Sequence, residues 1–216
     1  MALIHVDLRL SDVEFELWAL EEHLAALEES VTFLKAQDRI RTEARLREQG
    51  LDDDEGEIQI ALQEHDQRVN HVLPRYLRGS FLVALWAVFD AAVRDIADHL
   101  RHQKKRELRL GDLRGNILES GQKYFRHVLG LELLPDTQAA DRLTQALILR
   151  NAYAHANGRL DAVFERDLPK IEKWIEGNVG VTEDHGFILM SKELTAECLE
   201  AVRRTLLPLI SAVKGK

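Results

Sequence analysis

Apolar residues recur through most of the chain at spacings of three and four residues, the period of an α-helix with one buried face. The most regular stretch covers residues 11–35, where spacings of four and three alternate and predict a heptad seam. The seam positions are Val13, Leu17, Leu20, Leu24, Leu27, Val31 and Leu34. Ser11 and Glu14 form a capping-box pair, which predicts that the helix begins there.

Phe15 and Trp18 make the apolar stripe of this first helix wider than a strict coiled-coil seam. The helix could therefore pack against the protein's own core or against a helix of another chain, and in both cases it serves assembly rather than catalysis. Residues 50–56 (GLDDDEG), acidic and flanked by glycines, predict a linker with a plain turn. We therefore expect a helical arm over residues 1–50 and a helical domain over residues 51–216.

The segment after the linker predicts two helices. Residues 57–77 carry apolar positions at helical spacing, and Pro74 is expected to disturb that helix, with a bend at Gly79. Residues 80–100 (SFLVALWAVFDAAVRDIADHL) predict a long and mostly apolar helix. It carries one acid, Asp90, in its most apolar part, where a carboxylate needs a partner.

The C-terminal part of the chain predicts further helices and one hairpin. Residues 136–158 predict a helix with a cap at its start and an Asn-Gly stop at its end. Residues 171–175 predict a short helical piece, and the Asp-His-Gly turn between two β-prone runs predicts a small β-hairpin near residues 179–190. Ser191 is expected to cap a final helix.

The composition agrees with a mainly α fold class. Four prolines and twelve glycines among 216 residues are few, while Leu, Ala, Glu and Arg are abundant. No apolar run approaches the roughly 20 residues that a membrane span requires, and the first residues lack a signal-peptide pattern. We therefore expect a cytoplasmic protein with no membrane contact. Cys198, at helical spacing from Leu194 and Val202, is expected to serve packing.

The formal net charge of −8 is unevenly distributed along the chain. Residues 1–78 carry a net charge of −9, residues 79–160 carry +3 and residues 161–216 carry −2. The middle segment contains a cluster of cations whose members are Arg101, Lys104, Lys105, Arg106, Arg109 and Arg114. This basic cluster predicts a path for an RNA backbone, although the solvated C-terminal end of a helix also favours cations.

The same basic segment contains the hexapeptide Arg150-Asn151-Ala152-Tyr153-Ala154-His155, followed by Ala156-Asn157-Gly158. It places a fixed cation, an amide and a titratable imidazole within two turns of a helix. Asn151 and His155 share one face and Arg150 points to a neighbouring one, so a second copy of the helix could complete a cleft. This combination suits phosphate and RNA chemistry.

These residues resemble the HEPN superfamily, all-helical domains whose nuclease members carry an Arg, often followed by Asn, a few residues before a His. The resemblance extends from about residue 73 to the C-terminus and covers the apolar helix with its inward acid, a Gly-rich connector (GDLRGNILESGQKYF), the motif helix and the late DHGFILMSKEL segment. It implies a HEPN-like antiparallel helical bundle. One toxin branch has a modified Tyr two residues after the His, and Asn157 stands there in this chain.

The resemblance implies a metal-independent endoribonuclease that acts as a homodimer on RNA. Such enzymes serve as toxins or phage-defence effectors, often under an antitoxin or another regulatory protein. Arg150, Asn151 and His155 are then the catalytic set, and Asp90 and Tyr153 support it. Asp90 would anchor Arg150 or Asn151, or else serve in a helix cap or a salt bridge. Arg101, Lys104, Lys105, Arg106 and Arg109 would bind RNA.

The expected chemistry needs no cofactor and no metal. The chain has no Walker loop or dinucleotide-binding glycine pattern, and Asp95, His99 and His102 share a helical face without a fourth ligand. Two other functions stay open on sequence grounds. The chain could be a HEPN-like nucleotide-binding or regulatory protein that has lost catalysis, or a scaffold built around its first helix.

Overall fold

The computed structural model describes residues 9–134 and 136–214. It confirms a mainly helical fold with one small antiparallel hairpin. The helices are α1 (Arg9–Gln49), α2 (Glu55–Asp66), α3 (Leu73–Gln103), α4 (Ile117–Tyr124), α5 (Thr137–Ala156), α6 (Leu168–Glu176) and α7 (Lys192–Lys214). The strands are β1 (Val181–Asp184) and β2 (Phe187–Met190). The signal-peptide expectation falls on residues 1–8, outside the described residues.

Helix α1 buries its heptad seam within the chain itself. Six of the seven seam positions are buried and Leu34 is half-buried, so packing against the protein's own core is the role the structure gives the seam. The expectation for Phe15 and Trp18 is wrong, since their exposed fractions are 69% and 60%. Phe15 lies two residues from both Val13 and Leu17, which turns it to the opposite side of the helix. Ser11 lies inside α1 and is not its cap.

The acidic linker is shorter than predicted, because α2 begins at Glu55. Asp54 caps that helix, with its Oδ1 accepting hydrogen bonds from the backbone N–H groups of Gly56 at 2.9 Å and Glu57 at 3.1 Å. Gly56 therefore belongs to the first turn of α2. A carboxylate in this place satisfies two backbone donors and complements the positive end of the helix dipole.

Pro74 alters the helical hydrogen-bond pattern without ending the helix. Residues 67–72 form a π-helical segment between α2 and α3, and Pro74 lies in the first turn of α3, where its missing N–H costs little. The disturbance predicted at Pro74 therefore takes the form of a π-helical segment, whose turns are wider than those of an α-helix. Gly79 lies buried inside helix α3, which continues through it, and the bend expected there stays a prediction.

Helices α4, α5 and α7 begin at polar caps. Asp136 Oδ1 accepts from the Ala139 N–H at 2.6 Å at the start of α5, and the predicted cap Ser191 accepts from the Leu194 N–H at 3.1 Å at the start of α7. Asn116 caps α4, so half of the segment read as a Gly-rich connector is helical. The short helix predicted around residues 171–175 is confirmed as α6.

The hairpin pairs β1 with β2 in an antiparallel register that sets Val181 opposite Met190 and Asp184 opposite Phe187. Its two-residue turn places His185 at φ 48° and Gly186 at φ 81°. Positive φ at both turn positions matches the twist of a hairpin, and glycine adopts it without strain. The hairpin predicted near residues 179–190 is therefore confirmed.

Backbone contacts group the described residues into two compact units, each assembled from separate stretches of chain. The first unit comprises the described residues within 9–21, 83–148 and 196–214. The second comprises residues 22–82 and 149–195. The division predicted at residue 50 rests on composition rather than on contacts and stays a prediction.

The first unit has a core of fully buried side chains from α3, α4, α5 and α7 and from the π-helical turn after α4. They include Phe89, Val93, Ile96, Tyr124, Phe125, Leu143, Cys198, Val202 and Leu206. The Tyr124 hydroxyl donates to the backbone oxygen of Leu108 at 2.7 Å, so its polar atom has a partner. Cys198 serves packing as predicted, and burial raises the pKa of its thiol to about 12.

The second unit is held by a half-buried ion pair as well as by apolar packing. Arg78 of α3 donates from Nε and Nη2 to the two carboxylate oxygens of Glu28 in α1, both at 2.8 Å. Its Nη1 donates to the backbone oxygen of Met190 in β2 at 2.9 Å. This geometry satisfies the guanidinium and joins three elements, which a single point charge could not do.

The described part of the chain contains no helix that combines the length and the apolar character required to cross a membrane.

A second network joins α1 to α2 and the π-helical segment. Asp38 accepts from Arg68 Nε at 3.1 Å and lies 2.7 Å from His65 Nδ1. Burial acts to raise the pKa of Asp38, but the hydrogen bonds and positive charges of Arg68 and His65 outweigh it, and the net pKa is lowered. Folding therefore favours the ionised form of this carboxyl.

We expect Asp38→Asn to lower the free energy of unfolding at pH 7 and to matter progressively less in acid. A lowered folded-state pKa gives stability that is present above the unfolded value of about 3.9 and is lost as the pH falls through the folded pKa. Urea unfolding of both proteins between pH 3 and 7 measures the gap. Glu43→Gln, on an exposed pair of the same helix, is the control, and a gap independent of pH would contradict the assignment.

We also expect Gly79→Ala to destabilise the protein by about 1–3 kcal/mol, the usual cost of overpacking. A Cβ at this position would lie 2.5 Å from Cδ1 of Tyr153, whose ring is buried. The better helix propensity of alanine offsets only about 1 kcal/mol of this. Chemical denaturation measures the loss. Gly111→Ala, where a Cβ meets nothing within 4 Å, should be neutral, and equal stabilities of the two variants would contradict the close approach.

Candidate functional site

The end of α5 positions the Arg-Asn-His motif. The helix stops at Asn157 and Gly158, whose φ angles of 51° and 75° are both left-handed. The Asn157 N–H donates to the Tyr153 oxygen at 3.0 Å and the Gly158 N–H to the Ala152 oxygen at 3.0 Å. These bonds satisfy the last carbonyls of the helix. The stop predicted from the Asn-Gly pair is therefore where the structure ends α5.

Arg150 and Asn151 contact each other through their side chains. Arg150 Nη1 donates to Asn151 Oδ1 at 3.0 Å, and both residues are half-buried. Arg150 Nε is buried without a hydrogen-bond partner. Among the described residues no carboxylate lies within the 4 Å of an ion pair. The Nε–H group is therefore an unpaired donor, and no carboxylate of the described residues forms an ion pair with this side chain.

His155 is exposed at the end of the same helix. Its ring centroid lies 6.0 Å from that of Phe164, at an interplanar angle of 56°. Phe164 is itself 48% exposed, and the guanidinium carbon of Arg166 lies 5.4 Å from its ring. An exposed ring between an imidazole and a guanidinium was not found in the sequence, since a lone Phe after a helix stop carries no pattern.

Tyr153 is a structural residue. Its hydroxyl donates to the Ile188 oxygen of β2 at 2.9 Å, and its ring lies against Gly79 and Gly158, where an added Cβ would come within 2.5 Å and 3.1 Å. Burial raises the pKa of Tyr153, so the hydroxyl stays a proton donor at neutral pH. The residue anchors the motif helix to the hairpin of the second unit.

Asp90 has its partner on its own helix. Arg94, four residues on, donates from Nε to Asp90 Oδ2 at 3.0 Å, and the Asp90 side chain is 35% exposed. Of the roles considered from sequence, the salt bridge is the one that this geometry supplies. The pair also raises the pKa of Arg94, mainly through that hydrogen bond.

Some cations of the basic cluster bind other groups of the protein, and others are exposed to solvent. Arg101 is bound to Asp98 at 2.9 Å, and Lys104 donates to the backbone oxygen of Leu129. The side chains of Lys105, Arg106 and Arg109 are exposed. Of the five predicted RNA contacts, only these last three are therefore exposed, because Arg101 pairs with an acid on its own helix and Lys104 bonds to a backbone oxygen.

A second group of polar residues in the second unit was missed by sequence reasoning. His71 in the π-helical segment and His185 in the hairpin turn both lie near Asp184, with ring nitrogens 3.0 Å and 3.8 Å from its carboxylate oxygens. Gln67 Nε2 donates to the same carboxylate at 3.2 Å. Gln67 and His71 lie more than a hundred positions before Asp184 and His185 in the sequence, so no local pattern indicates the group.

Arg75 lies beside this group and is 8% exposed. Its guanidinium carbon lies 3.7 Å from the ring centroid of Phe187 and 4.9 Å from that of Tyr76. Its Nε is buried without a hydrogen-bond partner. Stacking on aromatic faces stabilises the charge but leaves the in-plane N–H groups unused.

Neither a search for metal-binding groups nor comparison with known proteins assigns a function to this site. Within the described ranges, no group of three or more His, Cys, Asp or Glu side chains could hold a metal ion. The chain matches no protein-family model, no curated protein and no solved structure. The HEPN resemblance therefore stays a prediction from the sequence.

We expect Tyr153→Phe to fold but to lose about 1 kcal/mol of stability, the usual net value of a hydrogen bond. The substitution leaves the Ile188 oxygen of the buried pair without its donor. Urea unfolding measures the difference. Tyr76→Phe is the matched control, since that hydroxyl belongs to a residue 52% exposed. If Tyr153→Phe is as stable as the wild type, the anchoring role is wrong.

Proposed function

We propose that this protein is a metal-independent endoribonuclease of the HEPN type that cleaves RNA at a site formed by two copies of the chain. The observation that carries the proposal is the motif itself. An arginine with no carboxylate partner among the described residues contacts Asn151, and an exposed histidine ends the same helix. Cleavage of a phosphodiester needs a cation beside the phosphate oxygens and a group that transfers protons, and this motif contains both.

Arg150 is the proposed phosphate ligand. Its fork of donors suits the non-bridging oxygens, and its charge would stabilise the negative charge that accumulates there. The contact from Nη1 to Asn151 Oδ1 limits the directions in which the fork can point. Asn151 is therefore a positioning residue for Arg150, and its amide N–H group can also meet the substrate.

His155 is the proposed proton-transfer residue. Five residues separate it from Arg150, which corresponds to about 7.5 Å along the helix and about 140° around its axis. One helix thus presents the two groups in different directions. A second α5 related by a two-fold axis would bring an imidazole toward the arginine of the first, which makes activity depend on a homodimer.

The RNA supplies the nucleophile in this reaction. The 2′-oxygen loses its proton and bonds to the adjacent phosphorus, while the bond from phosphorus to the 5′-oxygen breaks and that oxygen takes up a proton. The products are a cyclic phosphate and a 5′-hydroxyl. A neutral His155 would accept the first proton, and the protonated His155 of the second copy would donate the other.

Two exposed features would guide the substrate. Phe164 offers a ring beside His155 on which an unstacked base can lie, as single-stranded RNA requires. Lys105, Arg106 and Arg109 offer charge to the backbone. We further propose a cytoplasmic toxin or defence effector restrained by an antitoxin or another regulatory protein. The alternative is a non-catalytic nucleotide-binding, regulatory or scaffold protein.

We expect purified protein to cut mixed RNA in the presence of EDTA and to leave cyclic phosphate ends. His155→Ala should lower the rate about 10²- to 10⁴-fold, the usual contribution of a general acid or base. Arg150→Ala should lower it about 10²- to 10³-fold through lost charge stabilisation. Activity per chain should fall on dilution as the dimer dissociates. Gel assays and mass spectrometry of the ends measure these results.

Matched controls exist for both substitutions. His127 and Arg39 are exposed residues outside the motif, and replacing either by alanine should leave cleavage unchanged. Circular dichroism checks that each variant is folded. Cleavage that survives in His155→Ala would contradict the mechanism. An inert wild type would contradict the enzyme assignment, and retention of a nucleotide by that protein would favour the binding alternative.

A further inference from the structure

A cavity of about 60 Å³ lies in the second unit, between the π-helical segment before α3 and the hairpin turn. Arg75 and Phe187 line it together with Gln67, His71, Asp184 and His185. All six residues belong to the second unit, and none is part of the Arg-Asn-His motif. The cavity combines a cation, a carboxylate, two imidazoles and an amide around an aromatic ring.

Arg75 is the unusual member of this group. It is more than nine-tenths buried, and no carboxylate of the described residues lies within 4 Å of it. Its neighbour Arg78, one helical turn on, has a bidentate partner in Glu28. A buried cation with unused donors is costly unless an anion completes it. The guanidinium carbon lies 3.7 Å from the ring centroid of Phe187, so the ring covers one side of the cation and leaves its N–H groups to meet that anion.

Asp184 limits which anion can enter. Its carboxylate accepts from Gln67 and lies 3.0 Å from His71 Nδ1, a distance of an ion pair although the angle does not suit a hydrogen bond. A fully ionised anion would be repelled by this oxygen pair. An anion that keeps one acidic proton can instead donate that proton's hydrogen bond to Asp184.

We propose that this cavity binds a phosphate monoester group, with Arg75 holding two of its oxygens and Asp184 accepting a hydrogen bond from a third. A phosphate monoester keeps its last acidic proton on about half of its molecules near pH 6, whereas sulfate has none. A carboxylate would be satisfied by the arginine fork alone and would leave His71 and His185 without a role. The site is separate from the proposed cleavage chemistry.

The test compares inorganic phosphate with sulfate at pH 6, because both ions strengthen folding in the same general way. We expect the unfolding midpoint of the wild type to rise more in phosphate than in sulfate, since a ligand that binds only the folded state stabilises it. Arg75→Met should remove the difference. Asp184→Asn should remove the selectivity, so that sulfate raises the midpoint as much as phosphate does.

Arg39→Met, on the exposed face of α1, is the control and should keep the wild-type difference. Equal midpoints of the wild type in the two ions, or a phosphate advantage that survives in folded Arg75→Met, would overturn the proposal. If Arg75→Met does not fold, Asp184→Asn decides, and unchanged selectivity overturns it. None of these readouts depends on RNA cleavage.

A separate experiment distinguishes two sources of the phosphate group, a free nucleotide and the end of an RNA. A nucleoside 5′-monophosphate is compared with the nucleoside, and RNA with a 5′-phosphate is compared with the same RNA bearing a 5′-hydroxyl. A response to the monophosphate identifies a free nucleotide as ligand, and a response to phosphorylated RNA alone identifies an RNA end. In either case Arg75→Met should weaken binding by about tenfold or more, the loss of a charged hydrogen bond.

Discussion

The ring of Tyr153 fits between two glycines, and the geometry of the candidate site depends on this contact. Gly79 lets α3 approach the ring and Gly158 lets the chain leave α5 beside it, while the hydroxyl reaches the backbone of β2. Because the ring is buried and its polar atom is bonded, the end of α5 has one position in the second unit. Arg150, Asn151 and His155 take their places from that position.

Two arginines on one turn of α3, Arg75 buried and Arg78 half-buried, show how the same residue type takes different roles. Arg78 is complete within the fold, because Glu28 and Met190 O satisfy its guanidinium. Arg75 has aromatic faces and no carboxylate among the described residues. Arg78 therefore forms a structural ion pair that joins three elements, whereas Arg75 keeps unpaired N–H donors that a ligand can use.

The net charge of −8 does not exclude a nucleic-acid substrate, because the charge is not evenly placed. The motif and the basic cluster lie in the only segment with a positive net charge. The fold leaves four side chains of that cluster exposed, since Arg101 and Lys104 have partners in the first unit. The proposed substrate contacts therefore depend mainly on Arg150 and His155, with weaker guidance from the cluster.

The sequence by itself determined the helices other than α4, the caps at Asp136 and Ser191, the stop at Asn157 and the hairpin, because each is encoded by residues close together in the chain. It also indicated the motif. Only the tertiary structure decided that Gly79 receives a tyrosine ring and that Gln67 meets Asp184, 117 positions away. Periodicity shows which face of a helix is buried. It does not show which distant segment of the chain packs against that face.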